Sequence, residues 1–181
     1  MRLIPEGDDC RLFQIEDVLS TDLAQEISTV DWTNFSWAPV EGQERTARRR
    51  LRIETELQNK VMDCIQNSLP AINDSIGTSF TMADTNWWLD GPGYKIGIHT
   101  DGHLKSAMQL YWFGVNENYG TVFYNYNHVN HVRHTFKFKQ NTGYLMINTL
   151  NPDGSQPLMW HGMLNAVPDN AFRLTTYTIL R

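Results

Sequence analysis

The stretch Tyr94-Lys95-Ile96-Gly97-Ile98-His99-Thr100-Asp101-Gly102-His103 places apolar side chains at every second position up to Ile98 and then turns polar. That alternation predicts a β-strand over Gly93 to Asp101, on which residues two apart share a face, so His99 and Asp101 converge on one point. An imidazole beside a carboxylate suits a divalent first-row metal. Two ligands hold a catalytic metal poorly, and a bare His-x-Asp is more often a satisfied core histidine than a site. A third candidate stands in Leu158-Met-Trp-His-Gly-Met163, where His161 lies in an apolar, strand-like run; fifty-nine residues lie between it and Asp101.

Outward from this stretch the texture is β. Phe80 to Trp88, Tyr94 to Asp101, Ala107 to Phe113, Thr121 to Tyr126, His134 to Phe138, Gly143 to Asn148, Trp160 to Leu164 and Phe172 to Leu180 all read as strands, with a turn at Asp90-Gly-Pro-Gly93. Before them two helices are expected. Leu23, Ile27 and Val30 form a stripe for a helix over Asp22 to Val30, with Thr21 as its N-cap. Leu57, Val61, Cys64, Ile65 and Leu69 make a second helix over Glu56 to Leu69, followed by a separate turn because Pro70 is disfavoured inside a helix. Asp31 to Val40 suits an irregular or edge-strand segment. The expectation is an α+β chain with 1–181 as one domain: a helical part over 1–78 packed on one sheet, and an antiparallel jelly roll over 79–181.

The last expected strand poses a problem of charge. Arg173 sits in Ala-Phe-Arg-Leu-Thr-Thr-Tyr-Thr-Ile-Leu, and alternation puts Arg173, Thr175 and Tyr177 on one face. A buried guanidinium is costly unless an anion meets it, and its planar fork pairs a carboxylate with two bonds.

His99, Asp101, His161, Arg173 and Thr175, in that order and spacing, resemble the iron(II)- and 2-oxoglutarate-dependent dioxygenases, whose pattern is His-x-Asp, a distant His, then an Arg often followed by x-Ser or x-Thr. The resemblance covers roughly Trp87 to the C-terminus and is nearest to the small prolyl-hydroxylase-like members. It implies a double-stranded β-helix of the cupin-like jelly-roll kind, with Fe(II) held by His99, Asp101 and His161. It also implies 2-oxoglutarate anchored by Arg173, with Thr175 and Tyr111 as further donors, and O2 together with a primary substrate, peptide or small molecule, as partners. In that family the cosubstrate is decarboxylated to succinate and carbon dioxide while the substrate is oxidised, commonly by hydroxylation. Gly120-Thr121 departs from the Gly-Gly usual in this branch, which bears on close strand packing and not on the metal. Two rivals belong to other classes: a cupin-like metal enzyme without 2-oxoglutarate, and a non-enzymatic jelly-roll binding module.

Other features narrow the reading. A net charge of −5 argues against nucleic-acid binding along the whole surface, since phosphate contacts need clustered Lys and Arg. Cys10 and Cys64 are too few for a disulfide framework and favour a reducing, cytoplasmic setting. The first residues lack the apolar run of a signal peptide, and no later segment approaches the roughly 20 apolar residues of a membrane span. The run Arg45 to Arg52 holds five arginines in eight residues, expected as a solvated face or, less often, a basic rim for an anionic substrate. His128, His131 and His134 recur every third residue, but on extended backbone His131 faces away from the other two, which favours a surface loop over a second metal site. His103 competes as a ligand, although Gly102 before it favours a turn. Trp87, Trp88, Trp112, Phe123 and Tyr124 read as core before substrate platform.

Overall fold

The computed structural model describes residues 1–7, 11–35, 37–39, 47–51, 55–101, 106–148, 153–155 and 157–181, with Thr33 described by its backbone alone. His103, Cys10, Arg45 and Arg52 therefore lie outside the described residues.

In chain order the elements are β1 (Arg2–Pro5), β2 (Leu12–Glu16), α1 (Thr21–Thr29), β3 (Trp37–Pro39), β4 (Arg48–Leu51), α2 (Glu56–Ile76), β5 (Ala83–Asp90), β6 (Ser106–Phe113), β7 (Val122–Tyr124), β8 (Val132–Thr135), β9 (Thr142–Met146), β10 (Trp160–Gly162) and β11 (Arg173–Leu180). They pair throughout as antiparallel neighbours in an eight-stranded sheet, ordered β1-β2-β9-β6-β11-β5-β4-β3, and a three-stranded sheet, ordered β10-β7-β8.

Strand alternation divides the large sheet into two faces. On β6, Met108, Leu110 and Trp112 join Leu145 and Ile147, Trp87 and Leu174 in a core with Ile27, Leu57, Val61, Ile65, Leu69 and Ile72 of the two helices. The helices thus cover the outer face. Ala107 and Tyr111, on the other face of β6, pack with Tyr144 and Met146 against Phe123 of the small sheet and Phe136 just beyond β8. The result is three layers, helices, large sheet and small sheet, with a second apolar cluster between the two sheets.

Several expectations change. Six of the eight expected strands form; the one expected over His134 to Phe138 is strand only at His134 and Thr135, the end of β8. Gly93 to Asp101 does not form: its backbone is irregular, tied to 161–167 by Val167 N–H to Tyr94 O at 2.9 Å, Met163 N–H to Ile96 O at 3.0 Å and one bridge at His99. The turn over 90–93 uses Gly93 at a φ of 75°, which ends regular pairing before the apolar alternation starts. The second helix runs unbroken through Pro70 to Ile76. A proline inside a helix costs about 3 kcal/mol. Five buried apolar side chains on α2 (Leu57, Val61, Ile65, Leu69, Ile72) contribute about 1.5–3 kcal/mol each, and Pro70 lies on the exposed side, so packing outweighs it. A reciprocal box at Thr55 and Gln58, with Thr55 N–H donating to Gln58 Oε1 at 2.7 Å, starts this helix. The first helix is capped by Ser20, not Thr21, because the Ser20 hydroxyl accepts from the Leu23 amide. Four strands, β1 to β4, were not expected as such, apart from an edge segment near β3, which does lie at the sheet's end. Within the arginine-rich run, Arg49 and Arg50 are exposed on β4 while Arg48 turns inward.

Among the described residues no helix is long and apolar enough to cross a membrane.

Candidate active site

His99 and His161 are brought face to face by the bridge between their backbones, His99 N–H to His161 O at 2.9 Å and His161 N–H to His99 O at 2.8 Å. The approach leaves no room at the next residue. A Cβ on Gly162 would stand 2.8 Å from the Gly97 carbonyl oxygen. His161 belongs to β10 and lies in register with Phe123 of β7, on whose ring it stacks at 5.2 Å.

Each imidazole donates Nδ1–H to a carbonyl two residues earlier, His99 to Gly97 at 2.9 Å and His161 to Met159 at 2.8 Å. A carbonyl only accepts, so Nδ1 carries the proton and Nε2 of both rings keeps its lone pair. Those two Nε2 atoms face one carboxylate oxygen: Asp101 Oδ1 is 3.6 Å from His99 and 3.8 Å from His161. The three ligand atoms lie within 4.8 Å of one another, the one such cluster of metal-capable groups among the described residues. Asp101 Oδ2 is taken by the Tyr177 hydroxyl, which leaves Oδ1 as the free ligand atom.

The electrostatics agree with a cation at this point. Burial opposes ionisation of Asp101, yet the approach of both histidines and the Tyr177 donor hold its carboxyl down to about 2. Burial pulls His161 below its usual value and keeps it neutral. His99 moves up, because Asp101 and the Gly97 carbonyl together outweigh the burial that would lower it. Fixed tautomers, a monodentate carboxylate and second partners for every ligand are the marks of a metal site, and the residues fit an open two-His, one-carboxylate centre.

From the metal-capable cluster a cavity of about 310 Å³ extends between the sheets, walled by Gln109, Thr121, Tyr144, Met163, Trp88 and Ile96, with Arg48 and Arg173 also in its lining. Arg173 is 1% exposed. Its Nη1 points at the Met163 sulfur, its guanidinium carbon stands 5.9 Å from the Tyr111 ring and 5.8 Å from that of Phe138, and its Nε has no hydrogen-bond partner among the described residues. Asp90 Oδ2 is the nearest anion, at 3.7 Å, too far for a hydrogen bond. Thr175 Oγ1, two residues along the same face, is buried and equally unpartnered. The guanidinium's own Nε and the Thr175 hydroxyl are thus both buried without a hydrogen-bond partner among the described residues, and a guanidinium in the cavity lining fits a ligand carboxylate.

Tyr111 lies beneath Arg173 and outside the cavity wall, where its hydroxyl accepts the Thr121 amide at 3.0 Å. Thr121 donates its own hydroxyl to Gln109 at 2.9 Å. Close packing falls on Gly120 alone, whose Cβ would meet the Phe136 carbonyl oxygen at 1.7 Å, so Thr121 is left to supply a polar wall. The residues that sequence reading did not single out are Gln109, Tyr144 and Tyr177 as a ligand partner, and Arg48 stood out only as one member of the Arg45 to Arg52 run; the placing of Tyr177 on the Arg173 face and the basic-rim reading of that run are the signals that foreshadow any of them. Of the tryptophans, Trp87 and Trp112 are core, while Trp88 reaches the cavity. His128 and His131 lie on an exposed turn with ring centroids 5.6 Å apart, and His134 is spent on Glu6 at 3.0 Å.

No protein-family model matches the sequence, and no curated protein matches it. Solved structures do. The viral collagen prolyl hydroxylase vCPH from Paramecium Bursaria Chlorella virus-1, solved as its 2OG complex, superposes with a TM-score of 0.62 at 13% identity, covering 96% of this chain and 98% of its own. A prolyl-4-hydroxylase from Pseudomonas putida gives 0.64 at 16% identity over 94% and 91%. The fold is that of the 2-oxoglutarate and iron(II) oxygenases. A member of the 2OG-Fe(II) oxygenase family from Burkholderia pseudomallei extends the likeness, with a TM-score of 0.65 at 9% identity over 98% of this chain and 91% of that oxygenase.

Proposed function

We propose that this chain is an Fe(II)- and 2-oxoglutarate-dependent oxygenase, a hydroxylase, working as one domain over 1–181 on a double-stranded β-helix. One observation carries the reading: a single cavity has a His-Asp-His cluster with three converging ligand atoms in its wall and a buried guanidinium with an unpartnered Nε in the same lining. A metal-binding sandwich that does not use a dicarboxylate has no call for the second feature. The reading of Arg173 as a salt-bridge residue is weakened because Asp90 is already bound by Arg48 at 2.6 and 3.1 Å.

On this reading His99 and His161, through their free Nε2 atoms, and Asp101, through Oδ1, would hold iron, while the Tyr177 hydroxyl occupies Asp101 Oδ2. Arg173 and Thr175 receive the distal carboxylate of 2-oxoglutarate, with hydrogen bonds worth roughly 1.5–3 kcal/mol to the charged group. Tyr111 supports the Arg173 guanidinium with its ring. Bound Fe(II) would supply the activation of O2, the oxidant, with 2-oxoglutarate as the reductant that takes up one oxygen atom and leaves as succinate and carbon dioxide while the other oxygen atom goes to the substrate. Trp88, Ile96 and Met163 add aromatic and apolar wall to the same cavity.

The prolyl hydroxylases among the similar structures put peptidyl proline at the head of the substrate panel, with free amino acids and small metabolites after it. Succinate release is the test. With Fe(II), O2 and 2-oxoglutarate, the protein should form succinate, and one substrate class should raise it above the uncoupled level; no succinate with any class overturns the proposal.

A further inference from the structure

Arg48, Asp90 and Arg173 form one rung across three neighbouring strands. Arg48 of β4 lies opposite Asp90 of β5, and Asp90 lies opposite Arg173 of β11. The carboxylate is fully buried and is shared unequally. Arg48 grips it with a two-bond fork, Nε to Oδ1 at 2.6 Å and Nη2 to Oδ2 at 3.1 Å, while Arg173 Nε stays 3.7 Å away without a hydrogen bond. The Arg48 guanidinium is itself held between two rings, its carbon 4.5 Å from the centre of Tyr94 and 5.3 Å from that of Trp88.

Two cations thus share one anion in the wall of a cavity. A buried charge left over in this way is costly, and the cost falls on Arg173, whose other contacts are a thioether and two aromatic rings. Were Asp90 free to turn, it would close on Arg173 and neutralise it.

We propose that Arg48 is a positioning residue for the cosubstrate: by holding Asp90 in a two-bond grip, it keeps that carboxylate off Arg173 and reserves the Arg173 guanidinium for the acidic end of a dicarboxylate. The inference rests on the reading of Arg173 given above, and adds to it the reason that Arg173 Nε is left without a hydrogen bond in spite of an aspartate directly across the strand.

The test is the affinity of the Mn(II)-loaded protein for 2-oxoglutarate, measured by calorimetry beside Mn(II) affinity and thermal stability. Arg48→Met should release Asp90 onto Arg173 and weaken 2-oxoglutarate binding by about tenfold or more, with Mn(II) affinity unchanged. Combining it with Asp90→Asn should restore 2-oxoglutarate binding. Asp90→Asn alone separates positioning from mere support of the fold. It leaves a second uncompensated cation, so the protein should melt lower yet bind 2-oxoglutarate more tightly than wild type, whereas a purely structural rung loses stability and affinity together. If Arg48→Met does not fold, Arg48→Lys, which keeps the charge and loses the fork, is judged by the same loss of affinity. Wild-type affinity in the Arg48 variant, or weakened binding in Asp90→Asn, overturns the inference alone. A wild-type protein that binds Mn(II) but no 2-oxoglutarate overturns the reading of Arg173 and this inference with it.

Discussion

The metal end of the cavity hangs on short and irregular backbone: His99 and Asp101 follow a coil segment that one bridge joins to the three-residue β10. The arginine end stands on long strands, with Asp90 closing β5 and Arg173 opening β11, in register with each other. Order at the first end comes from side chain to backbone bonds, each Nδ1 tied to a carbonyl two residues back. At the second it comes from strand register and shared charge. One strand serves both ends, since Arg173 and Tyr177 project from the same face of β11, the one into the rung and the other onto Asp101. The two ends should therefore fail separately when broken.

The largest effect is expected from the ligands. His99→Ala, Asp101→Ala and His161→Ala should each lower Fe(II) affinity by about a hundredfold or more and abolish succinate formation, with the far-UV signal kept, because neither main core contains these residues. Metal titration and circular dichroism on the same samples check both halves. Full Fe(II) affinity in His161→Ala would remove it from the ligand set and turn attention to His103.

Breaking the other end should spare the metal. Arg173→Lys keeps the charge but loses the fork, so KM for 2-oxoglutarate should rise about tenfold, roughly 1.4 kcal/mol, at unchanged Fe(II) affinity. Thr175→Val should act in the same direction and less. An unchanged KM with a destabilised fold would make Arg173 a structural cation.

Tyr177→Phe sharpens the contrast, because the residue shares a strand face with Arg173 but serves the metal. Loss of its donor to Asp101 Oδ2 should cost about tenfold in Fe(II) affinity, the low end for a partner of a metal ligand. If KM for 2-oxoglutarate moves and metal affinity does not, the division between the two ends is drawn in the wrong place.

The smallest effect is a proton. His99 has a raised pKa, so its contribution to metal-free stability is present below the unfolded value of about 6.5 and is lost as pH rises through the folded value. A metal needs the neutral ring, so below the His99 value it must displace the proton that the charged ring carries at Nε2. Fe(II) or Mn(II) affinity should climb with pH up to the His99 value and then level off, with proton release on binding visible by calorimetry in buffers of different ionisation heat. His161, held neutral by burial, should add nothing in that range.

The same contrast explains what was legible in the residues. Metal ligands announce themselves by type, and His99, Asp101 and His161 could be gathered although the strand expected to carry two of them does not form; a two-residue spacing survives on irregular extended backbone. Arg173 stood out because an arginine in an apolar strand needs a reason. Arg48 did not, since five arginines in eight residues read as a solvated face, and which of them turns inward depends on a pairing with Asp90 that lies forty-two residues away. β1, β2 and β4 were missed for a related reason: their short runs hold charged residues and become strands through their neighbours in the sheet. Pro70 marks the opposite case, where tertiary packing overrode a local signal.

If one cavity takes up a metal and a dicarboxylate at once, an anaerobic Fe(II) titration with and without 2-oxoglutarate shows it directly. Wild-type protein should develop a weak visible charge-transfer band only when Fe(II) and 2-oxoglutarate are both present, and Arg173→Lys should need more 2-oxoglutarate to reach the same band. Fe(II) binding with no band at any 2-oxoglutarate concentration would contradict the account and leave a metal-binding sandwich; no Fe(II) binding at all would leave a binding module.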